Sequence, residues 1–331
     1  MKTINLVTLL LVAIPTFLFG QEFTPIVQSN ILNDSSFYDI KKMTANSFWV
    51  GGEKGILFEI NSVFEKKYIP YPNQGVNILK IDKFSENHYV LCADQGTIYH
   101  YFKNENRWEI QHLRGFKGKV IYNFAALNDK IAYICGGNSK IAASKKAIPN
   151  GFIYKTEDGG FTWKKVYKSI GSMIWDLDVI DKKVIALKYN IRGSRLITLS
   201  NQKNKVESKG KLYKLLAHEY NADLKMLVGA NDFHIYNSGK IINCSNNSEI
   251  NFKNLVWDIT SFNSLKIGSS CSGKIVLINH NGTLKQEIQC PSKFNLYGII
   301  SVNDNSLLII GSNKTILKLQ LNKTDIQKLN N

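Results

Sequence analysis

A self-similar unit recurs seven times along the chain and restricts the possible folds more than any other feature. Each unit opens with an apolar or aromatic residue, a variable residue and another apolar one. These triplets are Tyr38-Asp39-Ile40, Val76-Asn77-Ile78, Tyr122-Asn123-Phe124, Trp175-Asp176-Leu177, Tyr213-Lys214-Leu215, Trp257-Asp258-Ile259 and Tyr297-Gly298-Ile299. A second strand ending in small residues follows, as in Val50-Gly51-Gly52 and Ile310-Gly311-Ser312; the fourth unit, near Ala186, matches least. A turn then leads to a third strand often opened by glycine, such as Gly96-Thr97-Ile98-Tyr99, and a polar hairpin leads to a fourth. Four short strands of period-two pattern in a unit of roughly 40 residues are the signature of a propeller blade. The expected fold is all-β, a single seven-bladed β-propeller of four-stranded antiparallel blades over residues 21–331. Its blades start near residues 37, 75, 120, 173, 211, 255 and 295. A blade cannot bury both faces of its sheet alone, so the seven form one cooperative ring. Its seam is closed by Glu22 to Gln28 or by Thr324 to Leu329. The N-terminal strap is favoured, because the C-terminal segment is short and ends in Asn330-Asn331.

Residues 1–20 precede the repeats. Met1-Lys2-Thr3 is a short cationic start, Ile4 to Phe19 is apolar, and Phe19-Gly20 before Gln21 is an acceptable cleavage site. This is the pattern of a signal peptide, and it predicts a secreted or periplasmic protein that does not span the membrane after cleavage. Asn5 and Pro15 interrupt the apolar run, which is shorter than the roughly 20 residues an anchor needs. Five cysteines in an exported chain allow up to two disulfides. Cys92 and Cys135 sit in apolar strands as buried thiols, and the expected bridge joins Cys271 to Cys244 or Cys290.

The net charge is +16, from 42 Lys and Arg against 26 Asp and Glu. That attracts polyanions, but only Arg107, Arg114, Arg192 and Arg195 are arginine and the lysines are dispersed. Nucleic-acid readers concentrate arginine forks on one stripe, so nucleic acid is not expected as a partner. Two loops gather the charge: Lys140, Lys145 and Lys146 in the insertion of unit three, and Arg192 and Arg195 in unit four. Long loops on a rigid ring are where binding is built, and these five are the polyanion-binding candidates.

In unit three, Thr156-Glu157-Asp158-Gly159-Gly160-Phe161-Thr162-Trp163 matches Ser/Thr-x-Asp-x-Gly-x-Thr-Trp at every defined position. Asp and the two glycines suit a tight hairpin, and the Trp ring can pack between blades. Trp108 looks like a degraded copy in unit two. The chain thus resembles the Asp-box (BNR), YVTN-like repeat propellers, a group that includes sialidases, sortilin-type receptors and exported propellers akin to the photosystem II assembly factor. Its style is closest to the last of these. The resemblance implies the fold, and it implies that Thr156, Asp158, Gly160, Thr162 and Trp163 are structural and lie away from the usual binding face.

The first strand of a propeller blade lines the central channel. The middle residues of the seven triplets are therefore expected to ring one mouth, with Asp39, Asn77, Asn123, Asp176, Lys214 and Asp258 as ligand or cation candidates. Such a ring can hold a cation by oxygen ligands, or it can solvate a water-filled channel and bond neighbouring backbone. No other cofactor is expected. A sialidase needs arginines from separate blades, whereas the four here fall in two stretches. Gly268 to Ile275 nearly spells a phosphate-binding loop, but Ile275 stands where the magnesium-binding hydroxyl belongs. The six histidines are scattered, with no zinc spacing. The function expected is that of an exported, non-enzymatic, monomeric binding or assembly module for an envelope or extracellular protein or acidic glycan. The alternatives are a carbohydrate-active hydrolase or lyase and a lectin-like binder.

Overall fold

The computed structural model describes residues 22–26, 35–73, 75–138, 148–190, 192–200, 206–213, 216–221, 224–230, 238–279, 282–321 and 327. They form seven four-stranded antiparallel sheets arranged as a ring, an all-β seven-bladed propeller. The channel-lining strands are Phe37–Thr44, Ile78–Ser85, Lys119–Ala126, Met173–Ile180, Leu216–Asn221, Val256–Phe262 and Leu296–Asn303. Two blade starts differ from the repeat reading. Blade two begins at Ile78, and blade five begins at Leu216 because Tyr213 ends the outer strand Val206–Tyr213 of blade four. No helix among the described residues is long and apolar enough to cross a membrane.

Burial follows from the period-two pattern. Each interface between neighbouring blades holds its own apolar layer, for example Phe37, Val50 and Phe58 of blade one against Leu308 and Ile310 of blade seven. Blades six and seven share another, with Ile267, Leu277, Ile299 and Ile309. The small residues ending the second strands permit this approach. A Cβ on Gly51 would stand 2.6 Å from Cγ2 of Ile78 in the next blade.

The seam is closed by the N-terminal strand. Glu22–Pro25 pairs antiparallel with Ile316–Gln320, from Glu22 opposite Gln320 to Pro25 opposite Leu317, and becomes the outer strand of blade seven. The Ile26 N–H continues the pairing to the Ile316 carbonyl at 3.1 Å. Phe23 packs on the layer between blades six and seven. Of residues 324–329, only Gln327 lies within the described residues.

All five cysteines are free thiols, so the expected Cys271 bridge to Cys244 or Cys290 is not formed. Cys244 follows the third strand of blade five, Gly239–Asn243, on the opposite face of the ring from the second-to-third-strand turn that holds Cys271. Cys290 is buried in the layer between blades six and seven, whereas Cys271 packs with Ala230 and Leu255.

Removing the strap tests the closure. Deletion of residues 22–26 from the mature protein exposes the edge of Ile316–Gln320. It should lower the melting temperature by about 5 °C or more and promote self-association, and Phe23→Ala alone should cost about 1–2 kcal/mol. Unchanged melting and a monomeric deletion variant would contradict this closure.

Candidate functional site

One irregularity repeats in all seven channel-lining strands. The register slips between Phe37 and Asp39, Ile78 and Lys80, Ile121 and Asn123, Ile174 and Asp176, Ala217 and Glu219, Val256 and Asp258, and Leu296 and Gly298. Each slip is a β-bulge, which leaves one residue unpaired and bends the strand. The residue after each bulge takes the ring position inside the channel, and the bulged residue lies one step nearer the mouth.

The ring positions are therefore Asp39, Lys80, Asn123, Asp176, Glu219, Asp258 and Gly298. Asp39, Asn123, Asp176 and Asp258 stand where the repeat predicts them. Asn77 does not: it precedes its strand, where its Oδ1 accepts the Lys54 N–H (2.9 Å) and its carbonyl accepts the Asp94 N–H (3.0 Å). The triplet Val76-Asn77-Ile78 imitates the pattern three residues early, and Lys80 holds the position instead. Lys214 lies outside the described residues.

The ring carboxylates are occupied by main chain. A channel-lining strand is the inner edge of its sheet, so part of its backbone faces the channel without a strand partner. Asp39 Oδ2 accepts the Ile81 N–H of blade two at 2.6 Å. Asp176 Oδ2 accepts the Tyr220 N–H of blade five at 2.8 Å, and Asp258 Oδ2 accepts the Ile299 N–H of blade seven at 2.8 Å. In each case the donor directly follows the next blade's ring position. Asn123 joins the same system by donating its Nδ2–H to Asp176 Oδ1. These side chains latch one blade to the next.

A covalently attached cation also enters the channel. Lys80 Nζ lies 3.6 Å from Asp39, and one layer further in Lys41 Nζ lies 2.9 Å from Asp82. Lys41, Lys80 and Asp82, with Asn123, Asp176 and Asp178, line a cavity of about 180 Å³. Among the described residues no three His, Cys, Asp or Glu side chains gather as metal ligands do.

The bulged residues at the mouth are Tyr38, Leu79, Tyr122, Trp175, His218, Trp257 and Tyr297, so five of the seven are aromatic. All five are half-buried. Tyr122 and Trp175 meet at 4.5 Å between ring centres, and Trp175 meets Tyr189 at 6.1 Å. Trp257 meets Tyr297 at 5.2 Å, and Tyr297 meets Tyr38 at 6.0 Å. The Trp257 indole N–H donates to Cys271 Sγ at 3.1 Å, which fixes the ring. This aromatic collar is the candidate site. Its signal was present in the sequence, since five of the seven triplets open with Tyr or Trp at or beside these positions; only the bulge that presents them was not visible.

The loops on this face are basic. Exposed Lys54, Arg114, Lys117, Arg192, Lys253 and Lys293 lie in turns that open at the mouth side. Arg192 follows the second strand of blade four, with its N–H on Asn190 Oδ1 at 2.9 Å. Arg195 is half-buried within the third strand, opposite Lys188. Lys140, Lys145 and Lys146 lie outside the described residues.

The hairpin 156–163 is on the far face. Asp158 Oδ1 accepts the Thr162 N–H at 2.9 Å and its Oδ2 accepts the Thr162 hydroxyl at 2.5 Å, while Thr156 Oγ1 accepts the Gly160 N–H at 2.9 Å. Gly160 has φ +95°, and a Cβ there would press within 2.8 Å of His100. The Trp163 indole donates to Gln111 Oε1 of blade two at 3.2 Å and packs between blades two and three. Trp108 packs similarly between blades one and two, 6.0 Å from Trp49.

Comparison with solved structures returns β-propellers. A streptogramin B lyase is 17% identical with a TM-score of 0.67, covering 91% of this chain and 98% of that chain. YCF48 from Cyanidioschyzon merolae is 14% identical with a TM-score of 0.65, over 90% of this chain and 98% of that one. YCF48 bound to D1 peptide is 14% identical with a TM-score of 0.63, over 92% and 95%. At these identities the likeness establishes the propeller fold alone. No protein-family model and no curated protein matches the sequence.

Two predictions follow from the latches and the buried groups. Asp258→Ala leaves the Ile299 N–H without its acceptor and should cost about 1–3 kcal/mol, whereas Asp258→Asn keeps an acceptor and should cost less. Equal stability of the Ala variant and the wild type in urea would contradict the latch. The second concerns pH. Burial pushes Asp176 up to about 6, partly offset by the Tyr220 N–H and by Lys80. Its stabilising effect is therefore present at low pH and lost as pH rises through about 6. His88 and His100, 2.9 Å apart on the far-face side, are pushed by burial down from 6.5 to about 4, with the opposite sign. Their contribution is lost as pH falls from 6.5 through about 4. Stability should rise with pH across this window, more steeply in Asp176→Asn and less steeply in His88→Gln. A slope that neither substitution alters would refute the assignment.

Proposed function

We propose that residues 1–20 export the protein and that it acts as a non-enzymatic, monomeric binding or assembly module for an envelope or extracellular partner. The aromatic collar carries this reading. Five half-buried Tyr and Trp side chains converge at one mouth of a rigid ring, where they offer large apolar area with polar handles at low entropic cost. Exposed basic loops surround them and would draw in an acidic partner surface over a longer range. Three of the channel carboxylates, Asp39, Asp176 and Asp258, are engaged with main-chain N–H groups of the next blade, and Asp82 is paired with Lys41. A propeller of similar fold, YCF48, is known bound to D1 peptide, which supports a protein segment as the partner class.

Capture of the partner from the native cell envelope by crosslinking tests the reading. Trp175→Ala combined with Trp257→Ala should reduce capture at least about tenfold, in keeping with aromatic anchors at interfaces, at a temperature where circular dichroism shows the variant still folded. Arg192→Ala should weaken capture about two- to threefold and flatten its salt dependence. Capture unchanged by the double Trp variant would remove the collar as the binding surface.

A further inference from the structure

The collar is interrupted at blades two and five, and the interruption at blade two is charged. Blades six, seven and one form one aromatic wall, Trp257, Tyr297 and Tyr38, and blades three and four form a second, Tyr122, Trp175 and Tyr189. Between them blade two presents Leu79 at the bulge, and beside it a carboxylate. Asp94 follows the second strand of blade two, gives its N–H to the Asn77 carbonyl at 3.0 Å and forms an isolated bridge with Val120, two residues before Tyr122. Glu53 occupies the corresponding place in blade one. Its N–H goes to the Ser36 carbonyl at 2.9 Å, and its Oε2 accepts the Ser36 N–H at 3.2 Å, two residues before Tyr38.

The electrostatics agree with this placement. Burial first, and then the charges of Glu53 and Asp94, push the Tyr38 phenol up to about 12. Burial and Asp94 also raise the Tyr122 phenol. The charge of Asp94 is thus felt by the phenols on both sides of the gap, and its own carboxyl is raised by desolvation, opposed by hydrogen bonds from Asn77. The notch at blade two combines two aromatic rings with two carboxylates in a protein of net charge +16.

We infer that this notch is a cation site, which takes one lysine or arginine side chain of a partner segment between Tyr38 and Tyr122 and against Asp94. The faces of aromatic rings attract a cation, and the attraction grows as water is excluded. A partly desolvated carboxylate adds a charge-assisted hydrogen bond. The basic surface disfavours a partner that is cationic throughout, so the incoming cation belongs to a segment whose other groups are acidic. Exposed Lys54, with its N–H held by Asn77 Oδ1, supplies a nearby positive charge for such an acidic flank. The inference rests on the collar being the binding surface.

Two capped peptides test it: acetyl-Asp-Glu-Lys-Asp-Glu-amide and the same peptide with norleucine, a neutral isostere, in place of lysine. Calorimetric titration of the mature protein should show the lysine peptide binding about tenfold more tightly. Asp94→Asn, which keeps an acceptor and a donor for Asn77, should abolish that preference, because only the lysine peptide loses an attraction. Equal affinities, or no binding of the lysine peptide, overturn the cation site. Envelope capture by the double Trp variant decides separately whether the collar binds at all, so the two failures are distinguishable.

Discussion

The bulge at the start of each channel-lining strand, together with the side chains that reach across from blades one, three, four and six to the next blade, is the feature on which the rest of the structure depends. A propeller's inner strands are sheet edges, and seven edges meet around one axis. Their channel-facing amides need acceptors, because a buried N–H without one costs about 1–3 kcal/mol. Asp39, Asp176 and Asp258 provide acceptors to Ile81, Tyr220 and Ile299 at 2.6–2.8 Å. The same bulge that aims these carboxylates across the blade boundary turns the preceding residue toward the mouth. One local irregularity therefore sets both the join between blades and the composition of the candidate binding surface.

Much of this was legible in the sequence, and the exceptions have physical reasons. The seven repeats and the antiparallel blades follow from patterns of period two and from glycines such as Gly51, where the next blade approaches within 2.6 Å of a would-be Cβ. The closing strand was open between the two termini, with only the shortness of the C-terminal segment favouring the N-terminal one. Ring positions were readable in blades one, three, four and six, where a polar residue stands between two apolar ones, and in blade seven, where Gly298 does. Blade two was misplaced because Val76-Asn77-Ile78 mimics the triplet just before Leu79-Lys80-Ile81. A bulge adds one residue, and a shift of one residue exchanges the two faces of a strand. Blade five was misplaced because Tyr213 belongs to the strand before it. The cysteine reading failed since sequence order does not reveal that Cys244 and Cys271 lie on opposite faces.

The chemistry of the ring also reads differently once the geometry is known. Converging carboxylates suggest a cation site when seen as letters in a repeat. In the folded chain they are hydrogen-bonded across blade boundaries, and the positive charge beside them is Lys80, 3.6 Å from Asp39. On the proposed function, recognition chemistry lies further out, at the aromatic residues of the mouth. Glu53 and Asp94, which stand in the Gly-led turns Glu53-Lys54-Gly55 and Asp94-Gln95-Gly96, drew no notice in the sequence because acidic turn residues are common.

On the proposed function, the bulged residues make the mouth the working face. Hydrogen–deuterium exchange of the mature protein, free and with its captured partner, should then show slowed exchange in the turns 53–55 and 94–96 and at the starts of the channel-lining strands near Tyr38, Tyr122, Trp175, Trp257 and Tyr297. Protection concentrated on the far face, in the hairpin 156–163 and its neighbours, would contradict it.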